Sequence, residues 1–167
     1  MVVVLIFGSK GFGFGETIQL LIVVFLFAVL SVVVYSVFSG VNDDLQADAD
    51  LSTTAKAKLQ DLDDRFPATM DGAFALIFGL LFLVGVVASL LFDSHPSFIV
   101  IIIVLMIFLM LAGGYLSNSW DEFIVDSSVS SFSSSFPYTS FIMDNLLLVI
   151  GVAMITFGGV IFFKQRS

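Results

Sequence analysis

The chain has 167 residues, 59% of them hydrophobic, and a mean hydropathy of +1.12, which excludes a disordered chain and a soluble globular domain. It has no cysteine, which excludes disulfides, thiolate metal sites and Cys nucleophiles. The net charge is −8 with six Lys and Arg in all, so no basic patch exists for nucleic acid, and Lys164-Gln165-Arg166 is the one short basic run.

Residues 1–16 form an apolar, Gly-rich N-terminal segment. Met1–Phe7 lacks a basic n-region and an Ala-x-Ala site, so a removable signal peptide is not expected. Gly8–Gly15 reads as a flexible hinge into the first span; its Gly11-Phe12-Gly13-Phe14-Gly15 has no Gly-Lys-Ser/Thr after it and no strand before it, so it is not a phosphate loop.

Four apolar runs follow, over 17–39, 73–92, 98–117 and 141–163. Each is long enough to cross the hydrocarbon core, which takes about 20 helical residues. Asp144 is the one ionisable residue inside them. In lipid a spanning segment must satisfy its own backbone, so the expected fold is all-α: a four-helix transmembrane bundle with short amphipathic helices in the polar linkers.

Ser39-Gly40 reads as the stop of the first span. The linker 40–72 is acidic, with Asp43, Asp44, Asp48, Asp50, Asp61, Asp63, Asp64 and Asp71. Asn42 is placed to cap a weakly amphipathic helix there, and Phe66-Pro67 to end it. Asp61-Leu62-Asp63-Asp64 lacks the Gly and terminal Glu of an EF-hand. Asp71 is expected to cap the second span.

The link Asp93-Ser94-His95-Pro96-Ser97 is short enough to force a helical hairpin. His95 is the sole histidine. With Asp93 it supplies too few ligands for zinc, and it reads as part of a polar turn. In the linker 118–140, Ser119-Trp120-Asp121-Glu122 matches a capping box and predicts a new short helix. Trp120, Phe123 and Ile124 share its face and read as interface anchors. Asp144 falls in the first turn of the fourth span, where the helix dipole favours a carboxylate; a proton or ion role is the alternative.

Small residues mark candidate helix-packing sites: Ala75, Gly79, Gly85 and Ser89 on the second span, Gly113 and Gly114 on the third, Gly151, Gly158 and Gly159 on the fourth. No catalytic constellation, cofactor site or metal site is predicted, and no small-molecule substrate. The spans lack the buried charges or polar rings typical of transporters and channels.

Counting Lys and Arg gives three on each side of the membrane, but the acids concentrate in the two long linkers. The expected orientation puts the termini on the inner side.

Three punctuations together carry a resemblance: Arg65-Phe66-Pro67 with Asp71, Asp93-Ser94-His95-Pro96 with Ser117-Asn118, and Phe136-Pro137 with Asp144. Over roughly Leu62 to Phe163 the layout resembles small multi-pass membrane proteins of membrane-containing tailless bacteriophages and archaeal viruses. The resemblance implies a structural membrane protein of a virion. Its partners would be the lipid bilayer, neighbouring copies and capsid proteins, with no nucleic acid bound directly. The alternatives are an accessory subunit of a cellular membrane complex and a membrane-active lysis or transport protein.

Overall fold

A backbone that must satisfy its own polar groups in lipid has the helix as its local solution, and the described residues contain helices and no strand. The computed structural model describes residues 14–91, 98–126 and 129–166. In chain order the helices are α1 (Phe14–Ala47), α2 (Thr53–Leu91), α3 (Phe98–Val125), α4 (Ser130–Ser133), α5 (Pro137–Asp144) and α6 (Leu146–Arg166). Helices α1, α2, α3 and α6 are each long and apolar enough to cross a membrane. The chain is an all-α, multi-pass integral membrane protein. The readings of the segment 1–13, including Lys10, and of the 93–97 link, including His95, lie outside the described residues.

Helix α1 packs along α2, α2 against α6, and α6 against α3, while α5 wedges between α2 and α3. Leu, Ile and Val side chains such as Leu30, Leu83 and Leu111 face outward, as lipid permits. The buried core gathers at one end of the bundle, where Phe74, Trp120, Phe136, Met143 and Leu146 meet Ala28 and Val32.

Several predicted boundaries differ from the structure. Ser39-Gly40 does not stop the first helix: α1 runs 34 residues, with Gly40 in ordinary helical conformation. Asn42 is not an N-cap but a buried residue inside α1, 2% exposed. Its Nδ2 donates to Gln60 Oε1 on α2 at 3.5 Å. Partners on the facing helix keep this polar stretch helical where the local signal read as a stop.

Pro67 likewise lies inside α2, a helix of 39 residues. Proline removes one backbone hydrogen bond and costs about 3 kcal/mol in a helix interior. Packing on both sides offsets this. Phe66 stacks on Tyr35 and Phe38, and two turns beyond the proline Phe74 stacks on Phe27. Burying one such ring contributes about 1.5–3 kcal/mol.

Ser119 does not start a new helix either, because α3 continues through it to Val125. The fourth span starts at Leu146 rather than near Phe141. Residues 141–144 belong to α5, and the chain breaks at Asn145, whose carbonyl accepts from Val149 N–H at 2.9 Å.

The candidate packing glycines fall into three groups. At Gly85 an added Cβ would come within 2.5 Å of Phe157 Cζ, and at Gly113 it would run into Ile150 Cδ1, so α6 approaches α2 and α3 closely at these points. Gly114 and Gly158 have neighbours at ordinary contact distance, Leu147 and Met106. Gly79, Gly151 and Gly159 face open space. Ser89 is buried and bonds within its own helix, to Val86 O, while Ala75 is half-buried. We predict that Gly85→Leu and Gly113→Leu each cost about 1–3 kcal/mol by overpacking. Gly79→Leu should leave stability unchanged. Thermal unfolding of the three variants in one detergent checks the contrast.

Candidate functional site

The polar residues converge at the end of the bundle where the 40–72 and 118–140 linkers lie. Two structures occupy it: a helical hairpin built from the end of α1 and the start of α2, and the short helix α5 beneath it.

The hairpin closes through side chains. Asp48 Oδ1 accepts from Asp50 N–H at 2.9 Å and forms the turn. Ser52 caps α2, its Oγ accepting from Ala55 N–H at 3.3 Å. Lys56 Nζ donates to Gln46 O at 2.7 Å, and Gln46 Nε2 donates back to Lys56 O at 2.8 Å. This reciprocal pair ties the last turn of α1 to the first turn of α2. Further down, Gln46 Nε2 also reaches Asn42 Oδ1, which continues the polar seam to Gln60. The seam carries Asp63 as well, buried at 8% exposure with Oδ1 unpartnered among the described residues.

Asp43, Asp44, Asp48, Asp50, Asp61 and Asp64 remain exposed on the outer faces. Arg65 pairs with Asp61 at 2.7 Å, an exposed contact that contributes little. The hairpin therefore presents a net negative surface.

Helix α5 has only eight residues, and its N-cap residue is Phe136, which has no side-chain acceptor. Asp71 on α2 supplies the missing cap. Its Oδ2 accepts from Tyr138 N–H at 3.0 Å, and its Oδ1 accepts from Thr139 N–H at 2.7 Å and from the Thr139 hydroxyl at 2.8 Å. Pro137 has no N–H, and Ser140 N–H donates to Phe136 O. The three N–H groups of residues 137–140 are thereby accounted for. At the other end, Ser117 Oγ on α3 lies 2.9 Å from Met143 O and 3.1 Å from Asp144 O, and Asn145 Nδ2 donates to Phe141 O. Two neighbouring helices thus clamp α5 at its two ends.

This placement corrects two expectations. Asp71 caps α5, not the second span: α2 has no start there to cap. Trp120 is not an interface anchor, because it is 0% exposed inside the core, where its ring tilts against Phe123. A protein-made pocket replaces the headgroup region as its apolar surroundings. Phe123 and Ile124 are half-buried against the same core. Tyr35 joins it too, with Phe132 and Phe136 edge-on at 5.5 and 5.8 Å.

Asp144 sits exposed at the end of α5, outside the four spans. Loss of solvent raises its pKa above the ordinary carboxylate value, and the Asp121 charge raises it further. The Trp120 indole pulls the other way, although the two groups are not placed for a hydrogen bond and Nε1 has no partner among the described residues.

Sequence reading missed the Asp71–Thr139 pairing and the Ser117 clamp. The available signal was a lone acid, Asp71, ahead of an apolar run, and a Pro at the start of a helix without its own capping side chain. Among the described residues no three of His, Cys, Asp and Glu converge to hold a metal ion. Comparison with protein-family models, curated proteins and solved structures finds no match.

Removing the Asp71 carboxylate leaves the buried Thr139 N–H and hydroxyl and the part-buried Tyr138 N–H without their acceptor. Asp71→Ala is expected to cost on the order of 3 kcal/mol and to expose the Tyr138 and Thr139 amides to hydrogen exchange. Exchange mass spectrometry with a melting curve checks both. Asp144 gives a pH dependence. The folded chain holds its proton more tightly than the unfolded chain does. Stability should therefore fall as pH rises from about 3.9 through the raised value. Asp144→Asn should reduce that slope, as read from melting temperature against pH, with Asp63, whose pKa burial also raises, supplying the remainder.

Proposed function

We propose that this chain is a structural integral membrane protein that anchors an acidic docking hairpin to a bilayer, and that its setting is a virion membrane facing a capsid. The observation that carries the docking role is the continuity of α1 and α2 from the spans into the hairpin. At 1.5 Å per residue α1 is about 51 Å long and α2 about 58 Å, against a hydrocarbon core of roughly 30 Å. A helix without a break transmits load, and the Lys56–Gln46 tie closes the far end. The exposed aspartates complement a Lys- or Arg-rich protein surface and would steer its approach. The viral setting rests on the resemblance of the segment Leu62 to Phe163.

In this reading the hairpin and the α4–α5 segment face the capsid, and the termini lie on the interior side. The absence of native cysteine makes single-cysteine labelling clean for testing that sidedness.

The deciding experiment is mass spectrometry of purified particles from the source, combined with protein cross-linking. The chain should co-purify at fixed stoichiometry, with cross-links from the hairpin to a basic subunit. Replacing Asp43, Asp44, Asp61 and Asp64 with Asn should abolish that contact while membrane insertion and helix content stay unchanged. Recovery only in a cellular membrane complex would remove the viral setting. Unchanged contact after neutralisation would remove the docking role.

A further inference from the structure

The short helix α5 does not prolong α6. Helices α2 and α6 run in the same direction, and Phe157 on α6 lies against Phe82 and Gly85 on α2, an offset of 72 to 75 residues. Extended toward the hairpin, that offset would set Thr139 level with residues 64–67. Thr139 bonds Asp71 instead, about 6–10 Å nearer the spans at 1.5 Å per residue. The other end of α5 reaches α3, where Ser117 meets Met143 O and Asp144 O. Neighbouring helices pack roughly 8–10 Å apart, and a helix of eight residues measures about 12 Å. Helix α5 therefore lies crosswise, from α2 to α3.

Its two holders fix its height. Asp71 stands two residues before the apolar run of α2, and Ser117 closes that of α3. Helix α6 begins at Leu146, one residue after α5 ends. Three of the four spans thus end at the height of this one helix, where hydrocarbon gives way to headgroups. The outward face of α3 makes the same change turn by turn. Leu111 is apolar, Tyr115 is amphipathic, and Asn118 and Glu122 are polar and bonded to each other at 3.1 Å.

Helix α5 is two-sided across that plane. Thr139 and Met143 are buried toward the bundle. Tyr138 and Phe141, three residues apart and so on one side, are 61% and 63% exposed, and Tyr115 is 75% exposed. Tyrosine suits the headgroup layer, because its ring is apolar and its hydroxyl bonds to water and ester carbonyls. A helix that lies along the membrane surface buries such a face among the headgroups.

We infer that α5 is an interfacial helix whose partner is the phospholipid headgroup layer. Tyr138 and Phe141, with Tyr115 beside them, insert there and set the depth at which the bundle rides in the bilayer. This role is independent of what the hairpin docks on.

The test uses the full chain in phosphatidylcholine nanodiscs, with one nitroxide at a time on Tyr138→Cys, Phe141→Cys, Leu111→Cys, Leu148→Cys or Asp44→Cys. All five side chains are exposed. Electron paramagnetic resonance compares each label's collisions with oxygen, which concentrates in hydrocarbon, and with a nickel chelate, which stays in water. Labels at 138 and 141 should meet both comparably. Labels at 111 and 148 should favour oxygen several-fold, and the label at 44 should favour nickel several-fold. With the label at 148, Tyr138→Ser together with Phe141→Ser should shift the oxygen-to-nickel ratio. Nickel-dominated labels at 138 and 141, matching position 44, would put α5 in water and overturn the inference. Oxygen-dominated labels there, the result of a bilayer that follows the apolar run of α1 up to Phe38, would overturn it as well. An unchanged ratio at 148 would remove the depth-setting role. The single-label map decides the position of α5 by itself if the double variant does not fold.

Discussion

A single carboxylate organises the polar end of this protein. Asp71 is 2% exposed and takes three hydrogen bonds from α5, a helix too short to be stable alone. Without it, the Thr139 amide would be buried unpaired and the part-buried Tyr138 amide would lose its acceptor. With it, α5 is fixed beside α2, and Ser117 fixes the far end beside α3. The core residues Phe136 and Met143 ride on that short segment, and Trp120 and Phe74 pack around them. The placement of the 129–145 segment against α2 and α3 therefore follows from the capping of one eight-residue helix.

The four spans were legible because their physics is local. In lipid each helix satisfies its own backbone, so a count of apolar residues suffices, and α1, α2, α3 and α6 each overlap one of the four runs, with different ends. The polar segments were less legible because their physics is not local. Asp71 and Thr139 lie 68 residues apart, and nothing near either residue names the other. Trp120 was misread for a related reason. A tryptophan at the end of an apolar run suits a headgroup layer and a protein interior equally, and only the folded neighbours distinguish them.

Gly40, Pro67 and Ser119 share a different misreading. Each carries a local signal for a helix boundary, and each lies inside a helix. Such signals have the size of one lost hydrogen bond or of some backbone entropy. The surrounding packing is larger. Asn42 and Gln46 bond across to α2 beyond Gly40, and aromatic pairs bracket Pro67. Of the candidate packing glycines, Gly85 and Gly113 meet α6 closely, while Gly79 and Gly151 face outward. Spacing alone did not separate the two groups, because the motif states which residues share a face and not what that face meets.

The unbroken rise of α1 and α2 also makes the hairpin a strut of set length. Subtracting a core of roughly 30 Å from helices of about 51 and 58 Å leaves a tip standing some 20 Å or more off the hydrocarbon. That stand-off is written in residue number. Seven residues added to both arms amount to nearly two turns, so the tip would rise about 10 Å while each aspartate kept almost the same compass bearing. Three or four residues added to one arm alone would throw Gln46 and Lys56 out of phase and open the tie. The gap between bilayer and partner is thus a quantity this fold can adjust in steps.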